Sequence, residues 1–154
     1  MNRVSAAREE IINQMAIDAD CSESYSVFDG AEERFESMTC LKLSPSATVH
    51  AMFNSYTLGE GDYLVVFNSS QEALEDYLDQ PAPWGSSWQR GPLPDSMRRQ
   101  GLDIFTQNGA DILDTDSIWF ASVDFSSRDI EFQNGNLLIL SPDTNEIWFT
   151  YWDH

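Results

Sequence analysis

A nucleophile and its base require a Ser, Cys or Thr to meet a His, and this sequence offers His50 and His154 for that role. Neither stands in a recognisable catalytic context, and a lone histidine carries no information about a partner, so His50 reads as a surface or internally satisfied residue and no catalytic residue is assigned. Paired carboxylates could hydrolyse a glycoside or hold a divalent cation, but with 26 acidic residues many pairs approach one another by chance. The tightest group, Asp111, Asp114 and Asp116, lacks the Asp-x-Asp-x-Asp-Gly spacing and the distal Glu of a calcium loop. It reads as a solvated acidic loop, as do Asp18, Asp20 and Glu23. Gly59-Glu60-Gly61-Asp62 puts acids where a phosphate cradle needs bare amides and a lysine, so it reads as a turn. No metal ligand and no cofactor are expected.

Arg90, Arg98 and Arg99 form the one basic concentration and fit an anion anchor or a tie between a long loop and acidic neighbours; the tie is favoured. Cys21 and Cys40, nineteen positions apart (40 − 21), have neither metal-ligand nor disulfide-framework spacing and read as two idle thiols of a reducing cytosol. Trp84 and Trp88 occur in a loop rich in proline. They are either its internal anchors or an exposed pair able to centre an interface.

Charge is the most unusual property. Against 26 acids stand 8 basic residues, of which Lys42 is the only lysine, giving −18 and a pI near 4.1. The acids are spread along the chain rather than gathered in a tail, which describes a charged surface. Such a field repels nucleic acid and anionic membrane and speeds encounter with basic proteins. Direct nucleic-acid binding and membrane binding are therefore not expected.

The elements that must position these residues belong to one α+β domain over residues 1–154, with N-terminal helices and a mainly antiparallel sheet ending in a C-terminal β-meander. At this length a chain buries about 70% of the surface its unfolded form exposes. No stretch nears the length of a membrane span, and the N-terminal residues lack the apolar run of a signal peptide, which predicts a cytoplasmic protein. Helices are expected over Ser5–Ala16 and from Asp29, where Glu32 would complete a capping box and Phe35 and Met38 would face inward. A short strand is expected at Thr39–Leu43.

Residues 48–58 fit a strand that turns back into Tyr63–Phe67, or a helix capped at Ser44-Pro45; the hairpin is favoured. Ser69-Ser70-Gln71-Glu72 opens a helix through Leu74, Tyr77 and Leu78. An irregular stretch runs from Gln80 to Pro94, and residues 95–107 fit helix and strand equally. The meander is expected at Ile118–Phe125, Ile130–Gln133, Asn136–Leu140 and Ile147–Trp152, with turns at Asn134-Gly135 and Pro142–Asn145. Its aromatic residues fall on both faces, so one face must be covered or left open as a patch.

An acidic domain with many aromatics and no catalytic group best fits a non-catalytic binding protein that recognises and inhibits a basic protein partner, as an immunity protein neutralises a toxin. The expected partner is a nuclease or another nucleic-acid-binding protein. The expected contact residues are Trp84, Trp88, Asp111, Asp114 and Asp116. Three rivals remain: a DNA mimic acting against restriction or defence enzymes, a small enzyme with a carboxylate site assembled from distant residues, and an acidity that answers to solubility or high salt and leaves function open.

Overall fold

The computed structural model describes residues 30–54, 61–94, 115–124 and 134–153. Among these described residues six strands form one antiparallel sheet in the spatial order β1-β2-β6-β5-β4-β3. They are β1 (Thr48–Asn54), β2 (Gly61–Asn68), β3 (Gln89–Arg90), β4 (Trp119–Asp124), β5 (Asn134–Ser141) and β6 (Glu146–Asp153). Two helices, α1 (Ala31–Thr39) and α2 (Gln71–Leu78), pack on one side of this sheet.

The favoured hairpin forms, with β1 running antiparallel to β2 and a bulge between Val49 and Ala51. Pro142–Asn145 makes the turn that sets β5 against β6. Asn134-Gly135, in contrast, is no turn: both residues lie inside β5, where Gly135 pairs with Trp152 and with Asp124. A Cβ on Gly135 would press on the Val123 carbonyl and the Trp152 ring, so this glycine serves close strand packing. The expected strand at Ile130–Gln133 lies outside the described residues, as do the Ser5–Ala16 helix and residues 95–107.

The segment 39–43 corrects a second expectation. Thr39 closes α1 instead of opening a strand, and Cys40 follows as a left-handed C-cap with φ 61°. The backbone groups here are satisfied locally. Thr39 Oγ1 donates to the Phe35 carbonyl at 2.7 Å, the Leu41 N–H donates to Thr39 Oγ1 at 3.2 Å, and the Leu43 N–H donates to Glu36 Oε2 at 2.8 Å. With side chains taking these bonds, a ladder partner is unnecessary. The N-cap of α1 is Gly30, which makes no side-chain bond; the expected cap Asp29 lies outside the described residues. In α2 the cap is Ser70, which accepts the Ala73 N–H at 3.2 Å.

Cys40 is disulfide-bonded, so it is not an idle thiol. The sequence holds one other cysteine, Cys21, which lies outside the described residues. Spacing alone missed this because a single bridge needs spatial proximity, which two positions nineteen apart (40 − 21) neither require nor forbid.

Alternation along the strands divides the core into two layers. On the helix side, Tyr63, Val65 and Phe67 of β2 meet Ile147, Phe149 and Tyr151 of β6, under Phe35 of α1 and Leu74 and Tyr77 of α2. Phe35 is fully buried and sets its edge against Phe67 at 5.4 Å and Phe149 at 5.7 Å. On the opposite side, Leu64, Val66, Leu137, Ile139, Trp148 and Trp152 cluster with Leu93, Ile118 and Phe120. Both faces of the meander are therefore buried, and neither Trp148 nor Trp152 is left as an aromatic patch. Leu93 is brought in by a tight crossing at Gly91, where a Cβ would strike the Thr115 carbonyl and Ile118, and whose N–H donates to the Ile118 carbonyl at 2.9 Å. Among the described residues no helix is long and apolar enough to cross a membrane.

Candidate functional site

The amphipathic helices turn apolar residues toward the sheet and carboxylates outward. Phe35, Leu74 and Tyr77 point into the helix-side core, while Glu32, Glu33, Glu72, Glu75, Asp76 and Asp79 are exposed. Glu32, Glu33 and Glu72 lie in first helical turns, where the helix dipole favours negative charge. Neither helix has a basic residue in its last turn. Lys42 beside them is 89% exposed and reaches Glu36 only at 4.0 Å, so it screens little of this field.

The proline-rich loop lies against the same helices. Trp84 donates its indole N–H to the Met38 carbonyl of α1 at 2.7 Å, and its ring stacks over Phe149 at 6.3 Å. Trp88 donates to the Gln80 carbonyl just past α2 at 3.0 Å. Both are partly buried on the helix-side core. The two expected contact residues thus sit within the acidic helix layer, with their polar tips spent on anchoring the loop. Trp84 holds φ 61° to do so, a conformation that a bulky residue adopts only when its surroundings impose it.

Asp116 is exposed, and its backbone carbonyl accepts the Arg90 Nε–H at 2.9 Å. The Arg90 guanidinium also covers the Trp119 ring at 4.7 Å, so Arg90 ties the loop to the start of β4 through a backbone carbonyl and an aromatic ring, where a tie to acidic side chains was expected. Asp111, Asp114, Arg98 and Arg99 lie outside the described residues.

Two polar groups are buried beneath the acidic layer. The Arg34 guanidinium, in a residue 4% exposed, lies 4.5 Å over the Tyr63 ring and donates to the Tyr151 hydroxyl at 3.2 Å. The Tyr77 hydroxyl donates to the Lys42 carbonyl at 2.7 Å. Its pKa is pushed up to about 12, first by burial and then by the nearby Glu36 carboxylate, so Tyr77 is a fixed neutral donor at physiological pH.

On the other side of the sheet, Glu146 accepts from Thr144 Oγ1 at 2.9 Å and from Trp148 Nε1 at 3.3 Å. His50 Nε2 approaches the same carboxylate at 3.9 Å from an exposed position, which makes it a surface pair. Among the described residues no group of three or more His, Cys, Asp or Glu is arranged to hold a metal ion.

Sequence reading treated Glu32 and Glu72 only as helix caps and passed over Glu33, Glu75, Asp76 and Asp79. Their helical spacing opposite Phe35, Leu74 and Tyr77 is the signal that could have found them. No protein-family model, no curated protein and no solved structure matches this chain.

Proposed function

We propose that the chain is a non-catalytic acidic binding protein that recognises and inhibits a basic protein partner, in the manner of an immunity protein neutralising a toxin. The observation that carries this reading is the helix layer. It presents six exposed carboxylates, Glu32, Glu33, Glu72, Glu75, Asp76 and Asp79, in a chain of net charge −18, with Trp84 and Trp88 fixed among them. A field of this sign draws in a cationic surface, and rings held in place add contact area at little cost in conformational entropy. The partner fitting such a face is a nuclease or another nucleic-acid-binding protein, whose cleft is basic because it must hold phosphates. Asp111, Asp114 and Asp116 are proposed as further contact residues on the ground of their charge.

Cytoplasmic placement was expected in part from unpaired cysteines, and the disulfide at Cys40 removes that support, because disulfides persist mainly in oxidising compartments. Encounter with a partner outside the cytoplasm is equally compatible with the acidic face.

The test is affinity capture from extracts of the source cell and its competitors, eluted with a salt gradient. A basic protein should be retained at low salt and released as salt rises. The triple variant Glu72→Gln, Glu75→Gln, Asp76→Asn should release it earlier. Retention of no basic protein, or identical elution from the triple variant, would reject the assignment of this face.

A further inference from the structure

Strand β1 is the outer edge of the sheet: β2 pairs with one of its sides, and no described strand pairs with the other. Natural edges of this length are usually blunted by lysines, prolines or inward-pointing charges, because open N–H and C=O groups template further pairing. β1 carries no lysine, proline or carboxylate; its blunting feature is the bulge between Val49 and Ala51, which leaves Ala51 to Phe53 as regular edge. From Leu43 to Gly59, between Lys42 and Glu60, the sequence contains no charged residue, although 22% of the chain is charged. The exposed large hydrophobic residues among the described residues all lie on this strand: Val49 at 42%, Met52 at 59% and Phe53 at 42%. An edge with no described strand beside it, exposed apolar side chains and the absence of charge thus coincide on one element.

Charge selects the occupant. Two copies at −18 repel, and carboxylates facing one another across a contact would have to be desolvated without compensation. β1 itself carries no carboxylate, so two copies brought together there would not oppose acids within the strand. A docking edge shaped for a basic segment would carry acids, whereas the ionisable side chain of β1 itself is His50. The strand is also self-complementary. Ala51 and Phe53 pair with Val66 and Leu64, both of the face carrying Trp148, while Met52 pairs with Val65 of the helix-side face. Residues opposite one another in an antiparallel ladder share a face. A two-fold axis through Met52 satisfies this rule: Met52 meets its own copy, and Phe53 of each chain meets the small Ala51 of the other.

We propose that β1 is a self-association edge, through which two copies of this chain join by antiparallel β1·β1 pairing centred on Met52 into one continuous sheet. One strand pair buries less than the roughly 800 Å² per partner of a stable interface, so the dimer is weak and concentration-dependent. Screening of the mutual repulsion strengthens it as salt rises. That dependence is opposite in sign to capture of a basic partner by the helix face.

Sedimentation velocity over a concentration and salt series tests the proposal. The dimer fraction should grow with both, up to about 1 mM protein and about 1 M NaCl. Met52→Glu and Met52→Lys should each be monomeric, and an equal mixture of the two should associate at least about tenfold more tightly than either alone, a charge-pair effect of about 1.4 kcal/mol. Met52 is exposed, but its sulfur accepts from the Tyr63 hydroxyl at 3.8 Å, so melting curves of both variants are taken first and association is compared between folded proteins; should one not fold, Phe53→Ser is expected to weaken the dimer instead. A chain that stays monomeric throughout the series, a dimer indifferent to these substitutions, or a mixture that fails to associate would overturn the proposal. Partner capture by the helix face should be unchanged in the Met52 variants, so either reading can fail without the other.

Discussion

Trp84→Phe separates a tryptophan that holds the fold from one kept for a partner. The substitution removes the indole N–H that donates to the Met38 carbonyl at 2.7 Å and retains an aromatic ring against Phe149. A hydrogen bond of this kind contributes about 0.5–1.5 kcal/mol net, and leaving the Met38 carbonyl unpaired in a half-buried place adds to the loss. The smaller ring forfeits some apolar contact, bringing the expected destabilisation to roughly 1–2 kcal/mol. For a domain of this size each kcal/mol lowers Tm by about 2–4 °C, so a fall of roughly 2–8 °C is expected. Urea unfolding followed by far-UV circular dichroism measures this without relying on the fluorescence of the residue removed. An unchanged m value would show that the denatured state is not the cause. A midpoint identical to the parent would refute the anchoring argument and free the indole for a partner. Binding measured in parallel completes the comparison: a variant that is less stable yet still captures the partner assigns Trp84 to the loop's anchorage.

Tyr77 gives the protein a specific alkaline weakness. Its folded pKa of about 12 lies above the unfolded value of 10.0, so its contribution is complete below pH 10 and is lost as pH rises toward 12. After allowance for partial hydration this amounts to roughly 1–2 kcal/mol, visible as the difference between parent and Tyr77→Phe in urea melts from pH 9 to 12. Parallel curves would contradict the assigned cause. Reduction, or Cys40→Ser, should cost roughly 3 kcal/mol, the usual effect of opening a loop of about 20 residues. Alkylation of the native protein without reductant should add no mass; full labelling at two sites would contradict the bridge.

The sequence alone determined what depends on local order and on composition. Tyr63–Phe67 is a continuous apolar β-branched and aromatic run, and it became the buried strand β2; Ser69 and Ser70 ahead of Leu74 and Tyr77 became a capped helix. The negative surface likewise follows from a count of ionisable groups. Tertiary structure decided everything that depends on which distant segments meet. Nothing local says that β2 inserts beside β6 and joins the hairpin to the meander, because pairing is chosen among many strands of similar pattern. Asn134-Gly135 has the composition of a hairpin turn, yet cross-strand pairing with Trp152 and Asp124 drew it into β5. Trp84 and Trp88 gave no sign of direction until the Met38 and Gln80 carbonyls were placed beside them. The exposure of Met52 and Phe53 is equally non-local: their residue types suit a core, and only the place of β1 at the end of the sheet leaves them in water.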